Sequence, residues 1–117
     1  MHTVAVVEDD PSMLKGLNRL LSASGFRVQQ FTSAEAFLND IESCGAKCLV
    51  VDINLGGLSG IDLKRRLTSS GCDFPVIFMT AIDSEAMRRD AVDAGCVAYL
   101  KKPFLAKLLI DAINSVP

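Results

Sequence analysis

The chain has 117 residues, enough for one compact domain that buries its own core without disulfides or a structural metal. Its net charge is −2 and no block of Lys or Arg stands out, which argues against nucleic-acid binding by this segment, because neutralising phosphates requires a basic face. No apolar run reaches the length of about eighteen residues that a membrane span needs, and "MHTVAVVEDD" lacks the basic flank and small-residue cleavage site of a signal peptide, so no membrane contact and a cytoplasmic location are expected.

From the N-terminus onward, short apolar runs alternate with amphipathic ones. "TVAVV" (3–7) reads as a strand and runs into three acids, Glu8, Asp9 and Asp10. Met13, Leu14, Leu17, Leu20 and Leu21 then form a stripe with helical period, closed by Gly25. "RVQQF" (27–31) is the second strand. Ser33 caps a second helix striped by Ala34, Phe37, Leu38 and Ile41 and closed by Gly45, with Ala36 rather than an acid at its third position. "CLVVD" (48–52) is the third strand, followed by a weaker stripe of Leu63 and Leu67 ending at Gly71. Pro75 opens the fourth strand, "PVIFMT" (75–80), where its missing N–H matters least. Ser84 caps a helix carrying Met87, Ala91 and Ala94, closed by Gly95. "VAYLK" (97–101) is the fifth strand, and Leu105, Leu108, Leu109, Ala112 and Ile113 stripe the last helix.

This (βα)5 alternation predicts an α/β fold with a parallel sheet, helices on both faces and right-handed crossovers. It contains no repeat, low-complexity segment or linker, so one domain over 1–117 is expected, with an edge near Pro117. Cys44, Cys48, Cys72 and Cys96 form no CxxC pair and have no His at zinc spacing, so they read as free, packed thiols, and His2 as a solvated terminal residue.

In open α/β sheets, ligands bind beyond the carboxyl ends of the strands, where the strand order reverses. Glu8 and Asp9 follow the first strand, Asp52 ends the third, Thr80 ends the fourth and Lys102 follows the fifth. If the first and third strands are neighbours, these residues share one rim. Converging carboxylates repel one another, and a hard divalent cation removes that cost, so an all-oxygen donor set describes a Mg²⁺ site. Asp10 reads equally well as an acid at a helix N-terminus, favoured by the helix dipole.

Four stretches, "VVEDD" (6–10), "LVVDINLGGLSG" (49–60), "VIFMTA" (76–81) and "YLKKPF" (99–104), occur in order at strand ends. With them the sequence resembles a two-component response regulator receiver domain over nearly its whole length. The resemblance implies a flavodoxin-like five-stranded doubly wound sheet of order 2-1-3-4-5. It implies that Asp52 is the phosphoacceptor. For Mg²⁺ it implies direct ligation by Asp9 and Asp52, the backbone carbonyl of Asn54 as a further ligand, and Glu8 acting through metal-bound water. Lys102 matches the lysine before proline, with a cis Lys102–Pro103 bond. Thr80 matches the switch hydroxyl, Tyr99 the aromatic that turns inward on activation, and Ala81 the small residue that leaves room for a phosphoryl group. Two features depart from the pattern. Gly56 and Gly57 stand where many receivers carry a Pro-containing loop, and Glu8 replaces a commoner Asp.

The implied partner is a histidine kinase or phosphotransfer protein, read by Ser12 to Lys15 and the loop near Phe104. A homodimer through the fourth helix, fifth strand and fifth helix is a further expectation, on the face where "MRRD" (87–90) exposes two arginines. "FTSAEAFL" (31–38) is similar to receivers joined to helix-turn-helix output domains of the nitrogen-fixation regulator type. No outside substrate is implied, so the chain is expected not to be an enzyme beyond its own phosphorylation and dephosphorylation. One alternative is a phosphorylation-independent receiver-like interaction module, which usually lacks the acceptor or the lysine. The other is a Mg²⁺-dependent phosphohydrolase using an aspartyl phosphate, which needs a second Asp two residues past its nucleophile, where this chain has Asn54. No Gly-rich phosphate loop or dinucleotide fingerprint supports a nucleotide site.

Overall fold

The computed structural model describes residues 2–41 and 45–116. Five strands, β1 (Thr3–Val7), β2 (Arg27–Phe31), β3 (Cys48–Asp52), β4 (Val76–Thr80) and β5 (Ala98–Lys101), alternate with five helices. The helices are α1 (Pro11–Ala23), α2 (Ala34–Asn39), α3 (Gly60–Ser69), α4 (Glu85–Asp93) and α5 (Ala106–Asn114). The strands form one parallel sheet of order β2-β1-β3-β4-β5, as the resemblance implies. β3 and β4, inside the sheet, are buried at every residue, which is why they read as unbroken apolar runs, whereas the edge strands β2 and β5 carry exposed positions.

Side-chain alternation along the strands divides the core in two. Ala5, Val7, Leu49, Val51, Val76 and Phe78 face α2, α3 and α4, where Phe37, Leu63, Leu67 and Ala91 meet them. Val4, Val6, Cys48, Val50, Ile77 and Met79 face α1 and α5, meeting Leu14, Leu17, Leu21, Leu109 and Ile113.

Ser33 and Ser84 cap α2 and α4 as expected, accepting hydrogen bonds from the backbone N–H of Ala36 and Met87 at 3.0 and 3.1 Å. Asp10 is a cap as well: its carboxylate accepts from Ser12 N at 3.0 Å, with Pro11 in the first turn. Ser59 does the same for α3, accepting from Asp62 N. Gly25, Gly71 and Gly95 follow their helices at positive φ. Gly45 does not close α2, because that helix already ends at Asn39 and leaves Ile41 beyond it.

The predicted stripe of α5 is corrected at its start. Leu105 sits in extended backbone just before the helix and is 72% exposed, and Leu108 is 50% exposed. Leu109 and Ile113, one turn apart, carry the contact with the sheet. Lys64 was hidden from periodicity: it is buried on α3, donating to the Phe74 carbonyl at 2.9 Å.

Cys48, Cys72 and Cys96 are free thiols, while Cys44 lies outside the described residues. Cys48 is fully buried in β3, and burial pushes its thiol up to about 11. Native protein treated with iodoacetamide at pH 7.5 is therefore expected to label Cys72 at least ~100-fold faster than Cys48, with the difference vanishing in guanidinium. Peptide mass mapping over time reads this directly. Equal native rates would mean that β3 opens locally.

Candidate functional site

The parallel order brings the carboxyl ends of β1, β3, β4 and β5 to one rim. Asp52, the last residue of β3, is buried with its carboxylate pinned on both oxygens. Oδ1 accepts from Asn54 N at 2.9 Å and Oδ2 from Lys102 Nζ at 2.8 Å. The same ammonium donates to Glu8 Oε1 at 2.6 Å, so Lys102 bridges two carboxylates. Lys102 precedes Pro103 in a cis peptide bond, as the resemblance implies.

Glu8 is 1% exposed, and its other oxygen accepts from Asp10 N at 3.2 Å. Burial raises its pKa above the ordinary value, against the lowering effect of the Lys102 and Asp10 hydrogen bonds. For Lys102, burial acts to lower the pKa, but the hydrogen bonds to Asp52 and Glu8 outweigh it and the net shift is upward. Asp9 is exposed, and its Oδ2 accepts from Gly56 N at 3.1 Å. One oxygen each from Glu8, Asp9 and Asp52 lie within 4.8 Å of one another. Three converging carboxylates with a single ammonium between two of them make an oxygen-only donor set that suits a hard divalent cation.

Thr80, fully buried at the end of β4, does not reach the carboxylates. Its hydroxyl donates to the Ile82 carbonyl at 2.7 Å and accepts from Ile82 N at 3.0 Å and from Asn54 Nδ2 at 2.9 Å. Asn54 therefore links the acid cluster to Thr80 through its side chain, a role that a reading of its backbone carbonyl alone had overlooked. Tyr99 lies farther along the rim with its hydroxyl turned outward to Asp83. Ala81 is exposed beside the cluster. An apolar groove of about 570 Å³ adjoins Lys102, lined by Met13, Gly16, Leu17, Leu20 and Phe104.

A family model described as the response regulator receiver domain matches residues 4–114. The chain belongs to that family. Response regulator protein TmoT of Ectopseudomonas mendocina is 35% identical over 112 residues, covering 96% of this chain and 51% of TmoT. Transcriptional regulatory protein FixJ of Bradyrhizobium diazoefficiens is 36% identical over 112 residues, covering 96% of this chain and 55% of FixJ. The crystal structure of FixJ-N superposes with a TM-score of 0.91 at 32% identity, covering 99% of this chain and 93% of that one. The receiver chain thus spans about half the length of these curated relatives. Among the described residues, no helix is long and apolar enough to cross a membrane.

The structure brings together Glu8, Asp9, Asp52 and Lys102, as read from the strand ends. It keeps Thr80 one hydrogen bond removed and Tyr99 farther away. Asp83, which accepts from Tyr99, carried no sequence signal, since an acid in a loop is an ordinary solvated residue; Arg88 was legible only as one of the two exposed arginines of "MRRD", and its place over the Tyr99 ring was not.

Proposed function

We propose that residues 1–117 form one receiver domain that accepts a phosphoryl group on Asp52 from a histidine kinase or phosphotransfer protein. The observation that carries this reading is the Asp52 carboxylate itself. It is buried at a strand end, held on both oxygens, and sits beside two more acids and an ammonium.

In this reading an Asp52 oxygen attacks the phosphorus of a phosphohistidine, the P–N bond breaks and the imidazole nitrogen leaves with the bond pair. Asp9, Asp52 and the Asn54 carbonyl would hold Mg²⁺, with Glu8 acting through its water. When bound, the cation offsets the repulsion between the acid and the incoming phosphate. Lys102 stays with Asp52 and faces the charge that develops on the phosphoryl oxygens. Asn54 N keeps the carboxylate aimed. The domain acts on no outside substrate.

The finished aspartyl phosphate adds nearly two negative charges and strong acceptor oxygens. Thr80 then has reason to leave Ile82 for a phosphoryl oxygen, Tyr99 turns inward, and the face of α4, β5 and α5 changes shape for a second copy or an output domain. The groove beside Lys102 is the proposed seat of the phosphodonor, since it places apolar side chains of α1 and Phe104 next to the acceptor. Relatives named as transcriptional regulators support an output in transcription by a longer protein, with the domain working in the cytoplasm.

The test is intact mass after incubation with Mg²⁺ and acetyl phosphate. Wild type is expected to gain one phosphoryl mass, and Asp52→Asn or wild type in EDTA to gain none. No gain from acetyl phosphate or from a histidine kinase would move the reading to a phosphorylation-independent interaction module. A second expectation concerns lifetime. Ile82 is 62% exposed beside Thr80 and presents an apolar side chain at the entrance. Ile82→Glu is expected to shorten the phosphoryl half-life several-fold, roughly 3–10-fold, by orienting water there. An unchanged half-life would remove Ile82 from the account.

A further inference from the structure

Three groups that the phosphoryl chemistry does not use close on one another at the α4–β5 face. The Tyr99 hydroxyl donates to Asp83 Oδ1 at 3.0 Å. The other oxygen of Asp83 accepts from Arg88 Nη2 at 2.9 Å. The Arg88 guanidinium carbon lies 5.3 Å from the centre of the Tyr99 ring. Hydroxyl, carboxylate, guanidinium and ring face therefore form a closed circuit.

We propose that Asp83 and Arg88 are positioning residues that hold Tyr99 outward while the chain is unphosphorylated. This rests on the reading of Thr80 and Tyr99 as the switch pair. Each contact of the circuit supports the next. Asp83 offers one oxygen to Tyr99 and the other to Arg88, and the guanidinium that neutralises it rests on the electron-rich ring face. An inward turn of the ring forfeits the hydroxyl bond and the cation–π contact together. The Tyr99 hydroxyl is held in its protonated, donating form, because partial burial and the neighbouring Asp83 carboxylate raise its pKa.

The latch also has a release. Asp83 directly follows Ile82, whose N–H and carbonyl are both engaged by the Thr80 hydroxyl. A Thr80 hydroxyl that leaves Ile82 frees the backbone next to the carboxylate holding Tyr99. The stretch 82–83 is thus gripped at one residue by Thr80 and at the next by Tyr99.

Tyr99 is the only tyrosine and the chain has no Trp, so 3-fluorotyrosine labelling yields a single ¹⁹F resonance. The experiment records it for wild type, Asp83→Ala, Arg88→Ala and Arg88→Lys, with Mg²⁺ and increasing beryllofluoride, a phosphoryl mimic. Far-UV circular dichroism checks that each variant is folded. In wild type, beryllofluoride is expected to move the resonance to a new, activated position. Without beryllofluoride, Asp83→Ala and Arg88→Ala are expected to lie part-way toward that position. They should also reach it at about tenfold lower beryllofluoride, with Arg88→Lys in between. Folded variants that keep both the wild-type position and the wild-type titration overturn the latch and leave the switch standing. A shift of the free resonance with no change in the titration also overturns it, since local surroundings then changed without biasing the equilibrium. A wild-type resonance indifferent to beryllofluoride overturns the switch reading and the latch with it.

Discussion

Lys102→Met is expected to cut phosphoryl uptake from acetyl phosphate by roughly 100- to 1,000-fold and, in EDTA, to destabilise the fold by about 3–5 kcal/mol. The two effects have one origin. Lys102 Nζ lies 2.6 Å from Glu8 and 2.8 Å from Asp52, and both carboxylates are almost shielded from water. Its removal leaves two buried acids with no counter-charge. Part of the cost is avoided by proton uptake, and Glu8 is the group to take it, since its pKa is already raised by burial even with Lys102 present. An acid with a raised pKa binds its proton more tightly in the folded state. Its ionisation therefore costs stability, fully so above the folded pKa, and the cost disappears as pH falls towards 4.5.

The variant should accordingly regain stability as pH falls towards 4.5, where wild type changes less. In wild type the Lys102 pairing is present below its unfolded pKa and is lost only as pH rises past 10.5 through the raised folded value. Melting temperatures across pH, with and without Mg²⁺, check both statements. Mg²⁺ should raise the variant's melting temperature more than the wild type's. A variant with a flat pH profile and wild-type stability would show that the carboxylates do not depend on this ammonium.

Gly60→Ala is expected to lower the melting temperature by roughly 6–12 °C, about 2–3 kcal/mol, although helix propensity favours Ala over Gly. Gly60 opens α3 directly behind Asp52. A Cβ there would lie 2.6 Å from the Asp52 carbonyl oxygen and 3.0 Å from the Ile53 Cα. Both are backbone atoms of a buried strand end and cannot swing aside as a side-chain tip could. Propensity offers at most about 1 kcal/mol in the other direction and loses to the overlap. Because the displaced atom belongs to Asp52, phosphoryl uptake should slow as well. A variant that melts like wild type would mean that α3 can shift outward without cost.

The contrast between Gly60 and Asp52 marks what could be read in advance. Asp52, Asp9, Glu8 and Lys102 were legible because each ends or follows an apolar run, and a parallel sheet sends all such ends to one rim. Strand positions were legible for the same reason: "CLVVD" and "VIFMT" have both faces covered, so nothing polar interrupts them. Gly60 was not, because its constraint comes from the backbone of another segment. The exposed positions of Leu105 and Leu108 were missed because an apolar spacing leaves open where the helix begins, and α5 starts one residue past Leu105. The Asn54–Thr80 and Tyr99–Asp83 bonds pair residues far apart in the chain, and no local pattern encodes them.

The helices are fastened to the sheet very differently. α1 sinks three leucines into the core and α5 a leucine and an isoleucine, whereas α4 buries a single alanine, Ala91. Met87 and Ala94 beside it are only partly buried, so this is the helix most easily re-aimed. In the proposed switch, the well-seated helices keep the acids in register, and α4 is the one left to turn a change of charge into a change of outline. A few hydrogen bonds gained at Asp52 in that switch would suffice to move α4, because it buries the fewest residues of the five helices.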